Sequence, residues 1–153
     1  MRLIPAFLFV AWCAIATMPA FARSGNMANL RQSIVKIHVN IQHEDYLQPW
    51  QARGIGGGSG TGFVISRKRI LTNAHVVSDA RFIEVEREGD PQRYPAEVAF
   101  VGHDCDLAIL TVKDEALFRN TKALPFHTRL PTLNDEVIAV GYPIGGDRIS
   151  LTR

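Results

Sequence analysis

Between residues 33 and 153 the chain breaks into short segments rich in Val, Ile and Phe, separated by turn-forming residues and without any sustained helical period. Val35-Lys36-Ile37-His38-Val39-Asn40-Ile41 alternates apolar and polar residues strictly, as a strand with one wet face does. Thr61–Ser66 and Ile70–Asn73 follow, hinged by the basic turn Arg67-Lys68-Arg69, and then Arg81–Arg87, Tyr94–Gly102, Leu107–Val112 and Glu136–Gly141. Turn material lies between the later segments: Glu88-Gly89-Asp90-Pro91, His103-Asp104 and Leu130-Pro131-Thr132-Leu133-Asn134-Asp135. Asn26–Gln32, Ala74–Val77 and Asp114–Phe118 each have room for about one helical turn. The polar stretch Gln42–Arg53, with Pro49 inside it, reads as a loop. Strands this short, spaced by roughly 8–12 residues, indicate an antiparallel sandwich or barrel, so the expected class is all-β.

The two ends differ from this body. Arg2 is the only charge before an apolar run from Leu3 to Ala16, and Ala20-Phe21-Ala22 then offers small residues at the positions a signal peptidase reads. Residues 1–22 are therefore expected to be a secretory signal peptide, and the mature chain to begin at Arg23. A membrane anchor is the competing reading, but the run falls short of the ~20 residues a span needs. Export implies a periplasmic or extracellular protein. Cleavage would remove Cys13 and leave Cys105 as the only thiol, which excludes an internal disulfide. Cys105 itself is expected to be a small buried apolar residue. At the other end, Asp147–Arg153 alternates like a half-buried strand and stops without turn or cap. That ending leads us to expect a sequence cut inside a longer domain.

Composition narrows the function classes. Apolar residues make up 46% and charged residues 21%, which excludes a disordered chain. A net charge of +2, from 17 basic and 15 acidic residues, leaves no electrostatic footprint for nucleic acid.

Few residues carry chemistry. Gly54-Ile55-Gly56-Gly57-Gly58-Ser59-Gly60 fits no phosphate-binding register, and a strand rather than a helix follows it. It is expected to be a flexible lead-in that lets backbone pass close to something. Ser59 lacks the glycine two residues on that a nucleophile elbow requires. His75 stands where a strand runs into a single turn, and Asp106 stands at the mouth of an apolar strand. The 31 residues between them allow two strands to go out and return, so the two can meet over one rim of a barrel. A carboxylate accepting the Nδ1 proton would fix the imidazole tautomer and leave Nε2 free as a base. A purely structural His–Asp pair fits the same residues. Metal binding by His75, His103, Asp104 and Asp106 is a weaker competitor, because strand alternation would point His103 away and no zinc spacing is present.

Three stretches taken together are more specific: Gly58-Ser59-Gly60-Thr61-Gly62-Phe63-Val64-Ile65, Ile70-Leu71-Thr72-Asn73-Ala74-His75-Val76-Val77 and Asp104-Cys105-Asp106-Leu107-Ala108-Ile109-Leu110. They closely resemble the Deg/HtrA serine proteases, trypsin-like enzymes built from two six-stranded antiparallel barrels and often followed by PDZ domains. Gly141-Tyr142-Pro143-Ile144-Gly145-Gly146-Asp147 looks like the segment joining the two barrels in that family. Pro49-Trp50-Gln51 and the Tyr-Pro-Ile-Gly-Gly-Asp wording are similar to the plant Deg subgroup. The resemblance runs from about Ser33 to Arg153 and implies an essentially complete first barrel with a second only begun.

By the same resemblance His75 is the general base and Asp106, directly before Leu-Ala-Ile-Leu, the orienting carboxylate. The nucleophile would be the serine of a Gly-Asn-Ser-Gly-Gly motif, which is absent here. Ser150 is the only serine after Asp106 and has no glycines beside it. The implied protein is an exported endopeptidase acting on misfolded or damaged proteins, needing no cofactor or metal and assembling as a homo-oligomer when complete. Residues 23–153 alone would be inactive and would expose an apolar barrel face. A non-catalytic half-protease serving as a binding module is the alternative.

Overall fold

The computed structural model describes residues 22–51, 53–66, 68–143 and 146–153. The expected signal peptide lies almost wholly outside them. The chain opens with α1 (Ala22–Ser33), a full helix where one turn was expected. It ends where the β-branched pair Ile34-Val35 begins, and buried Ser33 sets its hydroxyl within reach of the Asn29 and Lys122 carbonyls.

Six strands follow: β1 (Ile34–Ile41), β2 (Gly56–Ile65), β3 (Arg69–Thr72), β4 (Ala80–Arg87), β5 (Asp90–Gly102) and β6 (Leu107–Val112). The helical turn α2 (Ala74–Val77) separates β3 from β4, and a 3-10 turn (Glu115–Phe118) follows β6. The strands close into an antiparallel barrel in the order β1-β2-β3-β6-β5-β4, with β4 returning to β1. Closure gives every strand a neighbour on each side, although the glycine-rich part of β2 pairs with β1 alone. The all-β expectation and the six-stranded barrel are both met.

The alternation of β1 explains the core. Val35, Ile37 and Val39 are buried inside and meet Val64, Ile70, Ile83, Val85, Tyr94, Ala108 and Leu110 from the other strands. Val77 and Leu117, from the two short helical turns, also pack into this cluster. Burial of these aliphatic side chains is the main source of stability.

The glycine run corrects the sequence reading in one respect. Gly56 to Gly60 is not a lead-in but the first half of β2, paired residue for residue with Ile41 to Ile37. The close approach expected of the run is found at Gly60, where an added Cβ would stand 2.5 Å from Val76 Cγ1, and a second one lies just beyond the run. A Cβ at Gly62 would stand 2.7 Å from Ile70 Cγ2 and 2.9 Å from Ile37 Cδ1, so only glycine fits against those core side chains.

Beyond the barrel, β7 (Ala139–Gly141) and β8 (Ser150–Thr152) form a separate two-stranded ribbon. Both are shorter than expected, and β8 is exposed rather than half-buried because its faces lack a covering layer among the described residues. The stretch after β7 is fastened to the barrel wall. Thr61 Oγ1 accepts the Tyr142 N–H at 2.8 Å. Lys36, buried on β1, reaches Asp147 Oδ1 at 2.5 Å, and its ammonium lies 6.0 Å from the Tyr142 ring. Burial, with Glu88 and Glu86 nearby, pushes the Tyr142 hydroxyl up to about 12.

The Lys36 hydrogen bond and charge hold the Asp147 carboxyl below its ordinary value. A carboxyl lowered on folding stabilises the fold fully above the ordinary carboxylate range and stops doing so as pH falls through the lowered value. Wild type should therefore melt slightly above Asp147→Asn near pH 7, the gap being small because Asp147 is largely exposed, and the two should converge in acid below the ordinary carboxylate range. Melting curves at both pH values check this; a gap that persists in acid counts against the pairing. Among the described residues no helix is long and apolar enough to cross a membrane.

Candidate active site

The site is built where β3 ends. Thr72 is buried and donates its hydroxyl to the Thr61 carbonyl at 2.9 Å, which ties the end of β3 to β2. Asn73 then leads into α2. Ala74 and Val77 of that turn are buried, three residues apart on one face, and Val76 is half-buried against the core, so His75 alone of the four is exposed. Val76 rests on β2 at Gly60, where an added Cβ would come within 2.5 Å of Val76 Cγ1. The glycine of the strand thus allows the turn that carries His75 to lie close against the barrel.

The carboxylate comes from the opposite direction. Residues 103–106 form the turn between β5 and β6, closed by the Asp106 N–H donating to the His103 carbonyl at 3.2 Å. Asp106 takes a left-handed backbone, φ 52°, a conformation that Asp and Asn tolerate better than most residues. β3 and β6 are paired, Thr72 opposite Ala108, and this pairing brings the two loop ends to the same rim.

There His75 Nδ1 lies 2.8 Å from Asp106 Oδ2 and 3.0 Å from Oδ1. The His75 backbone N–H also donates to Oδ1 at 2.9 Å. Asn73 Nδ2 donates to Oδ2 at 3.1 Å and to the Asp106 carbonyl at 3.2 Å. The His75 backbone bond, then the bond to its ring, and more weakly the Asn73 amide hold the Asp106 carboxyl below its ordinary value against the opposing effect of burial. Asp106 is consequently ionised at neutral pH and can only accept. Nδ1 must then carry a proton, and Nε2 holds the lone pair. The His75 side chain is 71% exposed, so Nε2 is open to a reactant. A depression of about 810 Å³ runs beside it, with Ser59, Val76, Phe82 and Arg93 among its lining.

Other candidates fall elsewhere. Ser59 is exposed in β2, opposite His38, and Ser150 lies in β8, opposite Gly141. His103 and Asp104 are exposed members of the turn, so strand alternation does not govern their directions. Among the described residues no group of three or more His, Cys, Asp or Glu side chains is arranged to hold a metal ion. Cys105 corrects the sequence reading: it is exposed, with Sγ 3.5 Å from the Gly102 carbonyl, because a four-residue turn has no interior face to bury it. Asn73 was overlooked in the sequence. Its place directly before a helical turn was visible, but a bond to a residue 33 positions away was not.

Residues 60–153 match the family model of the trypsin-like peptidase domain. The chain is 42% identical over 121 residues to the mitochondrial protease Do-like 4 of Arabidopsis thaliana, covering 79% of this chain and 23% of that protein. It is 39% identical over 121 residues to the serine protease DegP homolog of Plasmodium falciparum, covering 79% and 14%. Among solved structures it is similar to the Rv3671c protease of M. tuberculosis in its active form, with a TM-score of 0.64 and 26% identity over 98% of this chain and 59% of that one. The chain therefore spans less than a quarter of the length of these curated relatives.

Proposed function

Because the chain belongs to the trypsin-like peptidase family, among the Deg-type proteases, we propose that it supplies the general base and its orienting carboxylate to a serine endopeptidase. The observation that carries this reading is the His75–Asp106 contact at 2.8 Å, with Nε2 of the same ring facing open solvent. The nucleophile is a serine from the remainder of the protein, in the Gly-Asn-Ser-Gly-Gly setting that the family resemblance implies.

In the first half-reaction the serine oxygen attacks the peptide carbonyl while its proton passes to His75 Nε2. The ring becomes an imidazolium, which the Asp106 carboxylate stabilises through Nδ1–H. His75 then gives the Nε2 proton to the departing amine, and an acyl-enzyme remains. Water attacks the ester with the same nitrogen as base, and the acid product leaves as the serine regains its proton. No metal or organic group enters these steps. The substrates proposed are misfolded or damaged proteins, whose unfolded backbone can lie extended along the depression beside His75.

The test is peptidase activity of the complete gene product on an unfolded protein such as reduced casein, with labelling by a fluorophosphonate probe. Labelling that disappears in His75→Ala is expected. Activity without labelling would point to another nucleophile, and absence of both would favour the half-barrel as a binding module.

The same reading includes export, with residues 1–22 as the cleaved leader. Sequencing the mature amino terminus should give Arg23 first; a chain that retains Met1 would remove that part.

A further inference from the structure

Asn73 stands where β3 hands over to α2. An asparagine there ordinarily turns its side-chain oxygen onto an amide of the first helical turn. Here its side chain makes no capping bond. The His75 N–H, which such a cap would satisfy, donates to Asp106 Oδ1 at 2.9 Å instead. The capping acceptor is thus delivered by the β5–β6 turn, and the Asn73 amide is released to serve as a donor. It donates to two acceptors of one residue, Asp106 Oδ2 at 3.1 Å and the Asp106 carbonyl at 3.2 Å.

We propose that Asn73 is a positioning residue for the His75–Asp106 pair, its amide locking both the backbone and the carboxylate of Asp106 in the place where His75 Nδ1 meets them. The role rests on the function proposed above and acts entirely through Asp106. Two observations make the lock necessary. Asp106 holds a left-handed backbone, strained even for an aspartate, and the Asn73 bond to its carbonyl adds a restraint to the turn's own bond from the Asp106 N–H to the His103 carbonyl. The pair is also poorly enclosed: the His75 side chain is 71% exposed and that of Asp106 47%. Among the described residues, hydrogen bonds rather than packing hold these groups. Few side chains could do the same work. The planar amide carries two N–H groups, whereas an aspartate of the same shape offers only acceptors at neutral pH.

The experiment uses the complete gene product with Asn73→Ala, Asn73→Asp and Asn73→Ser. It reads kcat and KM on a peptide substrate, the pH profile of kcat/KM, and the Nδ1 proton of protonated His75 by NMR. Asn73→Ala should lower kcat by about 10–100-fold, the size of effect a slight misplacement of reacting groups produces, with KM within about twofold. The same variant should move the Nδ1 proton toward the position of a freely solvated imidazolium. Asn73→Asp should lose at least as much, since it sets a second carboxylate against Asp106 Oδ2 in place of a donor. Asn73→Ser, which keeps one donor, should recover part of the loss.

An unchanged kcat and an unchanged Nδ1 resonance in Asn73→Ala would overturn the proposal, as would a loss of activity with the resonance intact. If the alanine variant does not fold, Asn73→Asp and Asn73→Ser decide by the same readings. Should His75→Ala retain full activity, the peptidase reading fails, while the resonance still reports whether Asn73 holds Asp106.

Discussion

Asp106→Asn in the complete gene product should lower kcat by about 10⁴-fold while the protein remains folded. The substitution keeps size and shape and changes only what the two terminal atoms can do. In the wild-type site both carboxylate oxygens accept, from the His75 N–H, from His75 Nδ1–H and from the Asn73 amide. A carboxamide replaces one of those acceptors with an NH₂ group, which must face one of the donors. If it takes the place of Oδ2, it faces the His75 ring and the Asn73 amide together, and the ring turns to the tautomer protonated on Nε2, which can no longer remove the serine proton. If it takes the place of Oδ1, it confronts the His75 backbone N–H, and in both cases the imidazolium loses its counter-charge. Either arrangement strikes the chemical step, so kcat falls and KM changes little. Kinetics at pH 7 with a circular-dichroism control measure this. A loss smaller than about tenfold would mean that Asp106 does not orient the base.

The largest effect on stability is expected at the centre of the barrel. Leu110 on β6 is fully buried, paired with Ile70 of β3 on one side and Val98 of β5 on the other. Leu110→Ala removes buried methyl groups and leaves a cavity that a closed barrel cannot collapse to fill. A cost of about 3–5 kcal/mol is expected. It should appear in denaturant titration as a lower midpoint with an unchanged slope, since the surface exposed on unfolding hardly changes. Leu133, 94% exposed, serves as the comparison: its replacement by alanine should cost less than about 0.5 kcal/mol. Equal effects at the two positions would mean that the barrel core is not where these strands place it.

The strands were legible because their signal is local. The period of two in Val35–Ile41 marks a core face, and the structure buries Val35, Ile37 and Val39 accordingly, whereas Lys36 on the face expected to be wet is buried where it meets Asp147 and Tyr142. The glycine run was misread for the complementary reason. Glycine has no side chain to display a period, so Gly56 to Gly60 could be assigned to β2 only by its partner β1. Cys105 misled in another way: apolar character favours burial on average, but a residue in a tight turn is exposed by the path of the backbone.

The sequence by itself determined the all-β class, the short strands and the residues His75 and Asp106 at strand ends, because alternation, turn residues and motif wording are written within a few neighbouring positions. Only the tertiary structure decided that β4 closes onto β1, that the glycines interlock with Ile70, Ile37 and Val76, and that Asn73 donates to Asp106 rather than capping its own helix. Those facts depend on groups far apart in the chain, and a hydrogen bond or a steric contact acts only over a few ångströms in space, whatever the separation in sequence.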